Sequence, residues 1–195
     1  MSAFSFTKAT KRQARLRMAL IGPSGSGKTY SALAIASAMA PSGKIAVIDT
    51  ERGSASKYAG IFAFDVLELE TFAPETYAQA IEAADAAGYD VLIIDSLSHA
   101  WFGKDGALEQ VDRAAKRSSS QNSFAAWREV TPHHNAMIDA ILQCKAHVIV
   151  TMRAKTEYVM ETNEKGKSVP RKVGLAPVQR DGLEYEFDVV ADMNL

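Results

Sequence analysis

The chain has 195 residues, 47 % of them hydrophobic, and a net charge of −1, which suits one α/β domain and little more. Its one cysteine, Cys144, excludes an intramolecular disulfide and fits a reducing cytoplasm, and no apolar run is long enough to span a bilayer. The near-neutral total hides two basic patches: residues 1–17 carry Lys8, Lys11, Arg12, Arg15 and Arg17 with no acid, and residues 153–172 carry six cations against three acids.

Residues 1–16 run straight into the first strand and read as a basic N-terminal arm rather than a transit peptide. Arg17–Ile21 reads as that strand. From Met18 on it belongs to the stretch that organises the chain, Met18–Ala32, MALIGPSGSGKTYSA. Gly22, four residues, then Gly27-Lys28-Thr29 is the P-loop spacing. Gly25 and Gly27 allow backbone angles closed to other residues and a close approach to an anion. The loop Gly22-Pro23-Ser24-Gly25-Ser26-Gly27 and the first helical residues, Lys28 to Tyr30, would surround phosphates with main-chain amides and a helix N-terminus. Lys28 would reach the β- and γ-phosphates, and Thr29 would offer its hydroxyl to Mg2+. A nucleoside triphosphate with Mg2+ is therefore expected, against the alternative of a glycine-rich turn that only joins a strand to a helix.

A helix over Lys28–Ala40 stops at Pro41-Ser42-Gly43. Ile45–Ile48 is a short buried strand ending at Asp49, and Phe64–Leu69 reads as an alternating strand. Pro74–Ala87 is a helix terminated by Gly88, and Val91–Ile94 is a second buried strand ending at Asp95. Helical stretches Gly106–Lys116 and Phe124–Val130 flank the polar run Ser118–Ser123. Thr131-Pro132 reads as the start of a further helix reaching Gln143, with threonine as cap and proline in the first turn. His147–Val150 is the third apolar strand, ending at Thr151. Tyr158–Thr162 and Ser168–Lys172 form a hairpin-like pair about Asn163–Lys167, so 154–172 is a basic hairpin or mobile loop. Phe187–Asp192 is a final strand. Apolar strands alternating with helices imply a mainly parallel sheet covered on both faces, with ligands at the C-terminal strand ends. The polar residues expected at that edge are Gly22–Thr29, Asp49–Glu51, Asp95–Ser96 and Thr151–Arg153.

Asp95 fits the strand-end aspartate that holds Mg2+ through its water shell, since a hard cation takes oxygen ligands. Glu51 lies just past a strand expected to neighbour that of Asp95, and hydrolysis needs a carboxylate that orients and deprotonates water. Arg153 is placed to sense the γ-phosphate in its own subunit. Lys155, Arg171, Lys172 and Arg180 are candidates for a cation inserted into a neighbour's site, against the alternative of solvated surface charge. Cys144 with His147, and His133-His134, lack further ligands at metal-site spacing. Trp101, Phe102, Phe124 and Trp127 have the chemistry to stack on bases, but Trp127, Val130, Ile138 and Ile141 read as one packed helical face.

GPSGSGKT, IAVIDTERGSA, VLIIDSLSHAW, VIVTMRAKTEY and KVGLAPVQRDGLEYEFD together resemble the short RecA-like ATPases of bacteriophages and prophages, some of them single-strand annealing recombination proteins. The resemblance runs from about Phe6 to Asp192, and the second, third and fifth segments are more specific than the P-loop. It implies a RecA-like P-loop NTPase core with a C-terminal hairpin and strand extension, a single domain over 1–195, and an ATPase using ATP and Mg2+. In that family Asp49-Thr50-Glu51 occupies the place of the catalytic glutamate, and Arg153 that of a glutamine γ-phosphate sensor. The segment after Arg153 corresponds to a DNA-binding loop, making Lys155, Lys165, Lys167 and Arg171 candidate DNA contacts, and Lys172 and Arg180 candidate trans cations. The partners implied are single-stranded DNA, further copies of the chain and a single-stranded-DNA-binding protein, in the cytoplasm of a bacterial host. The sequence carries neither the N-terminal polymerisation domain nor the C-terminal domain of full recombinases, and a tail past Leu195 stays open. An oligomeric DNA motor or helicase-loader-like ATPase, a small-molecule phosphotransferase and a nucleotide-gated binding module remain as alternatives.

Overall fold

A computed structural model describes Lys8 and residues 14–117, 122–162 and 168–194; the side chains of 156–162, 169–173 and 175 are outside that description. The strands are β1 (Arg17–Gly22), β2 (Ile45–Asp49), β3 (Asp65–Glu68), β4 (Val91–Asp95), β5 (His147–Thr162), β6 (Ser168–Pro177) and β7 (Val189–Asp192). The helices are α1 (Lys28–Met39), α2 (Pro74–Ala86), α3 (His99–Phe102), α4 (Ala107–Arg117) and α5 (Ser123–Gln143), with 3-10 turns at Ala55–Tyr58 and Leu183–Glu186. The sheet order is β3-β2-β4-β5-β1-β7, parallel at every step, and β6 returns antiparallel on β5. This is the α/β RecA-like P-loop NTPase fold expected from the sequence.

The continuous apolar strands bury both of their faces, as period-2 geometry requires when helices cover each side. Leu20, Val47, Ile93 and Ile149 meet Ala32, Leu33 and Ala36 of α1 on one face. Ala19, Ile48, Leu92, Ile94 and Val150 meet Tyr77 and Ile81 of α2 and Met137 and Ile141 of α5 on the other. A satellite core joins α4 to α5 through Val111, Ala114, Ala126 and Val130, with Trp101 stacked on Trp127 at 5.5 Å. The expected face of Trp127, Val130, Ile138 and Ile141 is thus shared between two clusters.

Three expectations are corrected. Thr131-Pro132 does not start a helix: α5 is one 21-residue helix with Pro132 inside it, capped by Asn122, whose side chain accepts from the Phe124 amide at 2.9 Å. Its buried stripe Ala126, Val130, His134, Met137 and Ile141 crosses the proline unbroken, and that packing outweighs the lost backbone bond. β3 does not alternate, because all four residues are exposed on the edge strand; Phe64 and Leu69, just outside it, make the core contacts. β5 does not end at Thr151 but continues to Thr162, pairing β1 as far as Arg153 and β6 from Ala154 onward. Arg17, the last cation of the basic patch over 1–17, is buried in β1 and donates to the carbonyls of Leu142, Cys144 and Ala146, closing the C-terminal end of α5.

Candidate active site

The strand order brings the C-terminal ends of β2, β4, β5 and β1 together in that sequence. Asp49 is in register with Asp95, and Gly22 with Arg153. Between β1 and α1 the chain turns through Gly25 (φ 85°) and Gly27 (φ 81°), both in the left-handed region that favours glycine. Gly27 caps α1 without any side-chain acceptor, leaving the first-turn amides open to an anion. At Gly22 the need is space: a Cβ there would stand 2.6 Å from the Met193 carbonyl.

Ser24, Gly25, Gly27, Lys28 and Thr29 line a cavity of about 270 Å3 whose opposite wall is Glu51, Ser54, Tyr58, Asp95 and Arg153. Gly22, Pro23 and Ser26 serve the loop itself: Lys28 Nζ donates to the Gly22 and Pro23 carbonyls at 2.9 and 2.6 Å, and Ser26 Oγ donates to Pro23 at 2.9 Å. Tyr30, expected at the phosphates, is half-exposed and packs edge-on to Tyr58 and Phe62 instead. Burial lowers the Lys28 pKa, with Asp95 and Glu51 opposing, so its ammonium gains from any anion that enters.

Asp95 is 2 % exposed and accepts from the hydroxyls of Thr29, at 2.7 Å, and Thr151. Burial raises its pKa despite those two donors. A buried carboxylate joined to the Thr29 hydroxyl is an all-oxygen donor set facing the phosphate loop, which fits Mg2+. Among the described residues no group of three or more His, Cys, Asp or Glu side chains is placed to hold a metal ion.

Glu51 and Arg153, 102 positions apart, form a two-pronged ion pair. Arg153 Nε and Nη2 donate to Oε1 at 3.0 and 2.9 Å, and Nη2 to Oε2 at 2.6 Å. Burial would raise the Glu51 pKa, but Arg153, with His99 and Lys28, outweighs it and holds the group below its ordinary 4.5. Asp49 fixes the loop by accepting from the Glu51 and Ala55 amides at 2.7 and 3.0 Å, and Arg52 follows at φ 56°. On the β5 side the Arg153 amide donates to Ser98 Oγ at 2.9 Å, and its guanidinium lies over the Phe102 ring at 5.5 Å.

Two other predicted cations, Arg180 and Lys155, do not line the phosphate-loop cavity. Arg180 lies over Trp127 at 5.7 Å. Lys155 is exposed at the root of the β5–β6 ladder. Lys165 and Lys167 lie outside the described residues, as do the side chains of Arg171 and Lys172. Thr151 was expected at this edge, and two other contributors went unnoticed in the sequence. Tyr58 is visible only as an apolar residue in a polar loop. His99 stands four residues past Asp95, inside the segment DSLSHAW.

Residues 14–195 match the family model described as an AAA domain. The chain belongs to this AAA-domain family. It is also 39 % identical over 84 residues to Protein RecA of Frankia alni, a match covering 40 % of this chain and 24 % of that one. Protein RecA of Corynebacterium aurimucosum and of Mycobacterium avium are each 39 % identical over 84 residues, covering 40 % of this chain and 22 % and 24 % of theirs. The similarity thus spans about a quarter of the curated relatives' length. With the phosphate loop at the edge of this sheet, the chain is an AAA-domain protein with the RecA-like P-loop NTPase fold. Among the described residues no helix is long and apolar enough to cross a membrane.

Proposed function

We propose that this protein hydrolyses ATP with Mg2+ at the β1–α1 loop, and that it binds single-stranded DNA in support of annealing or recombination of the phage type. The observation that carries the catalytic half is the shared cavity: Lys28, Thr29, Asp95, Glu51 and Arg153 face one space of about 270 Å3. Lys28 leaves its loop carbonyls for the β- and γ-phosphates, and Tyr58 offers an aromatic wall to the nucleoside. Thr29 and Asp95 would hold Mg2+, which supplies charge neutralisation between the phosphates. Glu51 takes a proton from water as the water oxygen bonds to the γ-phosphorus and the bond to the β–γ bridging oxygen breaks, giving ADP and phosphate. Arg153, now engaged with Glu51, is the group that turns to the γ-phosphate oxygens.

The DNA half rests on position, charge and kinship. The ladder of β5 and β6 begins at Ala154, one residue past Arg153, so the basic segment leaves the sheet at the nucleotide edge. Its sequence carries Lys155, Lys165, Lys167, Arg171 and Lys172, which suits phosphate contacts indifferent to base identity. The similarity to Protein RecA supports the same reading, as well as assembly of several copies. In such an assembly Lys172 and Arg180 are the candidates to reach a neighbour's triphosphate, and a single-stranded-DNA-binding protein is a candidate partner.

The test is phosphate release with and without an unstructured oligonucleotide, for wild type and Glu51→Gln. Glu51→Gln should lose turnover by about a hundredfold or more while retaining ATP binding. Unchanged release would remove Glu51 as the base. Oligonucleotide affinity should fall steeply with salt, and no binding at low salt would end the DNA half.

A further inference from the structure

One buried titratable side chain beside the site takes no part in the chemistry above. His99 opens α3 and is 8 % exposed, stacked on Phe72 at 5.0 Å and edged by Phe102 at 5.2 Å. The ring is therefore fixed in its plane. Its Nδ1 lies 2.7 Å from Thr50 Oγ1, and its Nε2 lies 3.9 Å from Glu51 Oε1.

Glu51 decides which nitrogen carries the proton. The Thr50 hydroxyl oxygen accepts from the Ser96 amide at 2.8 Å, and its own proton can go to the Ser96 carbonyl at 3.1 Å or to His99 Nδ1 at 2.7 Å, so Thr50 accommodates either tautomer. A proton on Nε2 faces the Glu51 carboxylate, whereas the other tautomer would aim a lone pair at an anion.

Glu51 and Arg153 stand in the wall between the phosphate-loop cavity and a second one of about 860 Å3, which His99 and Phe72 also line. While Arg153 grips both oxygens of Glu51, the carboxylate needs no other holder. Once Arg153 turns to a phosphate, the base keeps its charge and loses its clamp. Among the described residues, His99 Nε2 is the other nitrogen within ion-pair distance of that carboxylate. A shift of about 1 Å along the flexible Glu51 side chain brings 3.9 Å into hydrogen-bond range.

We propose that His99 is the positioning residue for Glu51: its Nε2–H holds one carboxylate oxygen when Arg153 leaves, so that the other oxygen stays aimed at the attacking water. This rests on the reading of Glu51 as the base. His99 itself transfers no proton in this scheme.

The test compares kcat and KM for ATP in wild type, His99→Phe, His99→Gln and Glu51→Gln. Phenylalanine keeps the stack between Phe72 and Phe102 and removes both nitrogens. His99→Phe should lower kcat about tenfold or more with KM within about twofold, since a base that wanders costs the transition state and not ground-state binding. Glutamine restores an N–H donor, so His99→Gln should return kcat to within about threefold of wild type. Unchanged kcat in His99→Phe, beside an inactive Glu51→Gln, overturns the role of His99 alone. A loss in His99→Phe that glutamine does not recover also overturns it, as a packing effect. An active Glu51→Gln overturns the underlying assignment of the base. Ring 15N shifts of His99 in the wild-type protein give an answer that needs no variant to fold: Nε2–H is expected, and an Nδ1–H tautomer sinks the proposal.

Discussion

At the scale of single residues, Glu51 is held ionised against its own burial. Desolvation would raise its pKa, and the Arg153 hydrogen bonds and charge reverse the sign. Arg153→Ala should therefore move the Glu51 carboxyl from below 4.5 to above it, read by 13C titration of the side chain without nucleotide. A carboxyl that stays low in the variant would show that Lys28 and His99 suffice. Linkage follows the same sign: the lowered value adds stability above pH 4.5 that is lost as pH falls through the folded pKa, and Arg153→Ala removes that contribution. Glu51 and Arg153 were each legible as polar residues at a strand end. Their pairing was not, because it depends on β4 lying between β2 and β5, and an apolar strand does not state its neighbours. His99 was hidden for a related reason: a lone histidine on a four-residue helix has no periodicity to mark it, and its partners Thr50, Phe72 and Glu51 come from other segments.

At the scale of elements, the phosphate loop and α1 were readable almost to the residue, because glycine angles and the helix start are local demands. α5 was not, because a local rule met a longer-range one. Thr-Pro is a good helix start in isolation, but here the buried stripe from Ala126 to Ile141 carries the helix through. Pro132 itself is exposed, so the cost of its ring and missing N–H is not recovered by packing of its own. Pro132→Ala should restore the bond to the Arg128 carbonyl, removing a cost of about 3 kcal/mol while giving back about 1 kcal/mol of unfolded-chain entropy. A net gain of about 2 kcal/mol corresponds to a Tm rise of about 4–8 °C in a chain of this size, measured by thermal unfolding. An unchanged or lower Tm would mean that the backbone around Pro132 serves the contacts of α5 with α2 and α4.

At the scale of the whole molecule, the alternation of apolar strands with helices was enough to read a parallel, doubly covered sheet, and the edge that carries the phosphate loop followed from it. What composition could not show is which charges the fold consumes. Arg17 counts toward a basic patch in the sequence but closes α5 from inside, and His99 and His134 count as solvent-type residues but are 8 % and 2 % exposed. Burial lowers the pKa of both histidines, chiefly by desolvation, with Glu51 opposing at His99 and Gln179 opposing at His134. For a base with a depressed folded pKa, stability is complete above the unfolded value of about 6.5 and is lost as pH falls through the folded one. Each such histidine contributes a slope of at most about 1.4 kcal/mol per pH unit in that window. The raised Asp95 acts with the opposite sign above 3.8, so the wild-type curve alone mixes two effects. His134→Gln separates them. Its amide N–H can still donate to Gln179 Oε1, which now lies 3.3 Å from His134 Nε2, and it does not titrate. Between pH 7.5 and 5.5 the Tm of wild type should therefore fall further than that of His134→Gln. Parallel curves would show that His134 takes up its proton in the folded protein as easily as in the unfolded chain, and that the α5–Gln179 contact is open to water.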